Sequence, residues 1–187
     1  MELPAQLCDH FFNPRNVGDA GEPRFTGRSA SLSCGAHVRF SIQVDERHSI
    51  SQARFRAAGC SVLVGSASFL TEQITGMTTA EAAAFVQDPR GLSRQLGTTS
   101  EACVELACNA LLDAIQDFSN AARDDWGGDE ALICTCFFVS ERIIEREIQT
   151  RGLTTVAEVT KACNAGAGCG SCHQLIQEIL ATNDLPG

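Results

Sequence analysis

The chain has 187 residues, 44% of them hydrophobic and 20% charged, with a formal net charge of −9. That apolar fraction excludes a disordered chain and supplies one ordinary core or two small ones. With a single lysine (Lys161) and no basic run, the acidic balance argues against nucleic acid as a partner.

No stretch reaches the roughly 20 apolar residues of a membrane span, and Met1–Arg15 lacks the apolar centre of a secretory signal. A cytoplasmic protein is therefore expected. In that reducing setting the ten cysteines point to metal ligands, reactive thiols or small buried hydrophobes rather than to disulfides.

The first segment shows β and then α periodicity. Val38, Phe40, Ile42 and Val44 alternate with polar neighbours, as do Ala53, Phe55 and Ala57, and Asp45–Ser49 between them reads as a turn. An antiparallel hairpin follows. Ser61–Thr75 has the composition and length of a helix. Thr78-x-x-Glu81 is a capping box that opens a short helix closing near Asp88-Pro89. From about Ser100 to Ala122, Val104, Ala107, Cys108, Leu111, Leu112, Ile115 and Phe118 recur at helical spacing. The fold class is α+β, an antiparallel sheet with helices on one face.

Residues 123–130, acidic and glycine-containing, read as a linker between a first domain (1–122) and a second (131–187), each with five cysteines. The second domain reads as small and all-α. Val139–Thr150 is its first helix, Thr155-x-x-Glu158 caps the next, and His173–Thr182 follows a glycine-rich loop. So small a unit buries little surface, and a bound metal is one usual remedy.

Cys134-x-Cys136, then 32 intervening residues, then Cys169-x-x-Cys172, can give four thiolates to one centre. Soft sulfur donors suit zinc or an iron–sulfur cluster. The three glycines of Asn164–Ser171 favour the cluster, because they allow close backbone approach and N–H donors aimed at sulfur.

Ala131–Leu180, containing ALICTCFFV and GAGCGSCHQLIQEIL, resembles the bacterioferritin-associated-ferredoxin-like [2Fe-2S] domain of NifU proteins. The resemblance implies that Cys134, Cys136, Cys169 and Cys172 hold a permanent [2Fe-2S] cluster, with Cys163 a packing residue. DHFFNPRNVG at Asp9–Gly18, SLSCGA at Ser31–Ala36, FRAAGCSVLVGS at Phe55–Ser66 and EACVELACNALLDAI at Glu101–Ile115 resemble the NifU and IscU scaffold signatures. They imply that Cys34, Cys60 and Cys103 are the thiolates on which a transient Fe-S cluster is assembled from iron and sulfur. A cysteine desulfurase would be the sulfur source, apo-iron-sulfur proteins the acceptors, and a homodimer the assembly. On this reading the chain is a scaffold and not an enzyme. The C-x-x-C-bearing third domain of longer NifU proteins has no counterpart in these 187 residues.

The chain departs from the family at the assembly site, with Ala36 where Asp is usual and Ala102 where His is often found. The loss of a hard oxygen ligand implies a slower cluster donor. Strand alternation turns His37 away from the site. Cys108 lies on the apolar stripe as a packing residue, and it is also the best candidate for an extra ligand. Near a helix N-terminus, the Cys103 thiolate would be favoured by the dipole. The lysine-containing proline motif that IscU scaffolds present to a chaperone is replaced by GTTSE at Gly97–Glu101. Two alternatives stand beside the scaffold reading: a [2Fe-2S] electron-transfer protein whose first domain has lost assembly, and a zinc-stapled interaction module.

Overall fold

The computed structural model describes residues 3–45, 48–125, 130–168 and 170–183. It divides the chain into two compact units, Met1–Phe118 and Ser119–Gly187.

The first unit is an α+β layer. Its sheet has three antiparallel strands in sequence order, β1 (Phe25–Ala30), β2 (His37–Val44) and β3 (Ile50–Ala58). The register aligns Gly27, Phe40 and Phe55 in one row and Arg28, Arg39 and Arg56 in the next. Successive side chains alternate between faces, so Val38, Phe40, Ile42, Ala53 and Phe55 line the buried face. The β2–β3 hairpin is the one its alternation predicts. The edge strand β1 is an addition, because its alternation is broken by Gly27 and muted by serine and threonine.

Four helices lie within this unit and a fifth starts in it: α1 (Ala5–Phe12), α2 (Ser61–Ile74), α3 (Thr79–Val86), α4 (Pro89–Gln95) and α5 (Glu101–Asp125), which runs on past Phe118. Ten residues of α2 are buried on several of its faces, as expected of a helix enclosed by neighbours. Gly65 of α2 lets α1 approach closely; a Cβ there would stand 2.9 Å from Leu7 Cδ2 and 3.0 Å from the Leu7 carbonyl oxygen. The Thr78–Glu81 capping box forms as expected. The helix it opens, α3, closes at Val86, just before Asp88-Pro89, as expected. The same dipeptide also starts α4, with Asp88 as N-cap and Pro89 in the first turn, where its missing N–H costs nothing. α5 continues to Asp125, three residues into the stretch that reads as linker.

Beyond the end of α5, the second unit has a two-stranded ladder, β4 (Leu132–Cys134) and β5 (Val139–Ser140), which corrects the reading of residue 139 onward as helix. Ser140 is instead the N-cap of α6 (Glu141–Arg151). Then come α7 (Val156–Cys163), opened by the expected Thr155–Glu158 capping box, and α8 (His173–Asn183). Ile144, Ile148, Val159, Ile176 and Ile179 pack with Cys134, Cys163 and Cys172 into a core separate from that of the first unit.

Among the described residues, no helix is long and apolar enough to cross a membrane.

Candidate metal centres

Three cysteines of the first unit lie at the end of the sheet where β1 passes to β2 and β3 leaves for α2. Cys34 sits in a tight loop closed by the Gly35 N–H donating to Ser31 O (2.9 Å) and the Ser31 N–H donating to Ala36 O (2.8 Å). Gly35 adopts a φ of +73°, a left-handed conformation that favours glycine. Cys34 is exposed. Hydrogen bonds from the Ser31 hydroxyl and the Ala36 N–H hold its thiol below the ordinary value, with a smaller contribution from Ser33. The two serines before Cys34, Ser31 and Ser33, are part of the SLSC segment, and sequence reasoning assigned them no role.

Cys60 is the N-cap of α2, its sulfur accepting from the Leu63 N–H at 3.4 Å. Cys103 lies in the first turn of α5. The two sulfurs, 43 residues apart in sequence, are 3.1 Å apart. Burial, then hydrogen bonding to Cys60 and the charges of Cys60 and Cys34, push the Cys103 thiol up to about 11. This reverses the expectation of a dipole-favoured thiolate: desolvation and two neighbouring sulfurs outweigh a helix end. The arrangement is a close pair, with Cys34 in electrostatic range. Among the described residues, no three His, Cys, Asp or Glu side chains stand at metal-holding spacing.

Ala36 is buried, and its Cβ would be 2.9 Å from a Cβ placed on Gly59, so the position usually held by Asp is a close hydrophobic contact. Ala102 is exposed. His37 is exposed on the opposite sheet face, as alternation requires, with Nδ1 3.3 Å from Gly35 O. Cys108 is fully buried in the core, where burial and then Glu105 push its thiol up to about 12.

In the second unit, Cys134 at the end of β4 and Cys172 just before α8 are buried, at 1% and 4% exposure. Burial, followed by the charge and hydrogen bond of Cys134, pushes the Cys172 thiol up to about 11. Cys136 is half-buried against the glycine-rich loop. A Cβ on Gly168 would stand 2.9 Å from Cys136 Cβ and 3.0 Å from its Sγ. Gly166, at φ +88°, lies over His173, whose Nε2 is 2.9 Å from Gly166 O. Sequence reasoning gave His173 no part in this loop; its place directly after Cys172 was the available signal. Cys169 lies outside the described residues. Cys163 is buried and donates to Val159 O at 3.3 Å, and burial raises its thiol. The donors are soft sulfurs, and the loop beside them has no room for a side chain at Gly168. This chemistry fits a compact thiolate-bound cluster.

Residues 4–125 match the NifU-like N terminal domain, and residues 132–182 match the BFD-like [2Fe-2S] binding domain. The chain is similar to nitrogen fixation protein NifU of Trichormus azollae, 37% identical over 188 residues, covering 94% of this chain and 62% of the relative. It is also similar to the iron-sulfur cluster assembly scaffold protein IscU of Azotobacter vinelandii, 33% identical over 123 residues, covering 64% of this chain and 96% of that one. The chain thus spans less than two thirds of the length of the NifU relatives, and nearly all of IscU. Among solved structures, its fold resembles the N-terminal part of a nitrogen-fixing NifU-like protein from Brucella abortus, with a TM-score of 0.53, 15% identity, and coverage of 62% of this chain and 93% of that chain. The chain belongs to the NifU-like N-terminal domain family and carries in addition a segment matching the BFD-like [2Fe-2S] domain.

Proposed function

We propose that the chain is an iron–sulfur cluster assembly scaffold. Residues 1–122 would build a transient cluster on Cys34, Cys60 and Cys103, and residues 131–187 would keep a permanent one. The observation that carries this reading is the Cys60–Cys103 sulfur pair at 3.1 Å, with Cys34 in electrostatic range of Cys103, in a family that includes assembly scaffolds. Cys34, exposed and held toward thiolate, is the group best suited to accept sulfur from a cysteine desulfurase. Cys60 and Cys103 complete the thiolate set for incoming iron, and Cys108 remains a packing residue. Exposure of Cys34 and Cys60 leaves the cargo open to thiolate exchange with an apo-acceptor. The chain then retains no product and turns over no substrate of its own, so it is not an enzyme.

Cys134, Cys136, Cys169 and Cys172 would hold the resident [2Fe-2S] group, which supplies one-electron chemistry when bound. The protein contributes burial of Cys134 and Cys172 and a loop without a side chain at Gly168. We place the protein in the cytoplasm as a homodimer.

The buried Ala36 methyl favours one second reading, an electron-transfer protein whose first unit no longer assembles clusters, because no oxygen ligand is offered there. The test is iron and acid-labile sulfide per chain, before and after anaerobic incubation with a desulfurase, cysteine and ferrous iron. The scaffold reading requires about two irons per chain at the start, rising by about two or more. Replacing Cys34, Cys60 and Cys103 with Ala must abolish only the rise. A count fixed at the starting value selects the electron-transfer reading.

A further inference from the structure

The outer face of the first unit's sheet is covered over only part of its length. At the end toward the β2–β3 turn, the Ala20 N–H donates to Ser41 Oγ (2.8 Å), and Gln43 Nε2 donates to Glu22 O (3.3 Å). The segment before β1 therefore lies over that part of the face. Toward the cysteine-bearing end the face is open. There Arg28, Arg39 and Arg56 form one continuous row across the three strands, because the register places them opposite one another.

Beside the row runs a groove of about 640 Å³, whose other flank carries the small side chains Ala30 and Ala58 around His37. Two of the three guanidinium groups share one carboxylate: Asp19 pairs with Arg39 and, at 3.0 Å, with Arg56 Nε. Arg28 is exposed and makes no ion pair among the described residues; the nearby Asp113 carboxylate accepts instead from the Arg28 backbone N–H. A chain of net charge −9 thus presents a local surplus of positive charge, next to a shallow trough with an alanine on either side of His37.

We propose that this groove is a docking surface for an acidic helix of a partner protein. The spacing selects the occupant. Neighbouring strands are about 4.8 Å apart, so the arginines repeat at that interval across the sheet. Carboxylates at i, i+4 and i+7 on one helix face repeat at roughly 5–6 Å. A helix laid across the strands pairs one carboxylate with each arginine, and the alanines flanking His37 allow its backbone to approach. Arginine forks favour carboxylates in this bidentate fashion. A long polyanion would meet the protein's net negative charge over the rest of its length, whereas a helix with three carboxylates meets only the row. Two residues beyond Ala58 lies Cys60, and three before His37 lies Cys34, so a docked partner is held beside the thiols. The docking does not depend on the assembly reading, because the groove is complete without iron.

The test follows arginine Nε–Hε resonances of the full-length, nitrogen-15-labelled protein during titration with a synthetic helical peptide carrying glutamates at i, i+4 and i+7. A glutamine counterpart and a single-stranded oligonucleotide serve as comparison probes. Saturable shifts are expected at Arg28, Arg39 and Arg56, weakening as salt is raised. The exposed double variant Arg28→Gln, Arg56→Gln should bind about tenfold more weakly, with its other resonances unmoved. Equal binding of the glutamine peptide, unchanged affinity of the double variant, or shifts away from the row would each overturn the proposal. So would an oligonucleotide that moves the row at equal or lower concentration. Shifts driven by protein concentration alone would seat a second copy there instead and overturn it too.

Discussion

Gly27 is the point where strand β1 touches helix α5, and Gly27→Ala tests how the first unit holds its cysteines. An added Cβ would fall onto the Ala114 nitrogen and the Ala110 oxygen, and 2.6 Å from the Asp113 carbonyl carbon. All three are backbone atoms, so no side chain can swing aside. Restoring an ordinary contact of about 3.4 Å needs the strand and helix to part by roughly 1 Å. That movement strains the two bonds that tie them, from Thr26 N–H to Asp117 and from Arg28 N–H to Asp113, each 2.8 Å. Overpacking costs about 1–3 kcal/mol, and each weakened, solvent-accessible bond about 1 kcal/mol. The expected loss is about 3–5 kcal/mol, which lowers Tm by about 12–20 °C in a unit of this size. The assay is differential scanning calorimetry of the full chain beside Gly21→Ala, whose new methyl meets only the movable Gln43 side chain at 3.3 Å. A fall below about 3 °C for Gly27→Ala would refute the argument that this contact has no slack. Because β1 leads to Cys34 and α5 carries Cys103, a destabilised variant should also lose the iron increment assigned to the first unit.

Three further outcomes are expected. Gly168→Ala forces Cys136 aside, so visible absorbance and iron content of the second unit should fall while far-ultraviolet circular dichroism holds; full retention of both contradicts the cradle. Burial holds the imidazoles of His10 and His48 below their usual 6.5. The unfolded chain therefore binds more protons, and stability should be complete above pH 6.5 and decline as pH falls through and below it. His10 faces Ser68, Phe69 and Glu72, with Arg15 and Asp9 nearby, and His10→Gln should make that decline shallower in urea titrations; a slope unchanged from the parent contradicts the assignment. Thr155→Ala removes the hydroxyl that accepts the Glu158 N–H at 3.3 Å and should cost about 1 kcal/mol by chemical denaturation. A loss no larger than the fitting error would show that Glu158, bonded to the Thr154 and Thr155 N–H groups, suffices alone.

What could be read from the sequence was whatever a local period or cap encodes. The β2–β3 hairpin follows from strict alternation, and both capping boxes from residues three apart. The missing elements have no such period. β1 has glycine where a core residue would mark its inward face, because α5 comes too close for one. α4 is only seven residues long, and its opening Pro89 looks equally like the end of the helix before it. β4 and β5 are too short to alternate. The family signatures drew attention to Cys34, Cys60 and Cys103, but their separate chemistry depends on contacts across the chain. The proximity of Cys60 to Cys103 and the desolvation of Cys103 are tertiary facts. The arginine row is likewise invisible until a register aligns residues 28, 39 and 56.

Two cysteines of the first group, Cys34 and Cys60, and two of the second, Cys134 and Cys172, are built by opposite physics. Cys103 is half-buried and shares with Cys172 a thiol raised by desolvation. Cys34 and Cys60 are exposed at loop and helix ends, with Ser31, Ala36 and Leu63 offering donors to sulfur. Such thiols are reached by a partner's sulfur as easily as by solvent, and a metal bound there can be lost by ligand exchange. Cys134 and Cys172 lie within a packed core that includes Val139, Ile144 and Ile176, and the glycine loop closes on Cys136. A metal held there must break core packing to leave. Access, more than ligand type, differs between sites that both use cysteine. This supports a cargo role for the first set and a resident role for the second. The absence of a carboxylate at Ala36 does not remove that contrast, because the route out of the first site is set by the exposure of Cys34 and Cys60. It changes the donor available to iron, and so the expected rate of transfer, while leaving the site open.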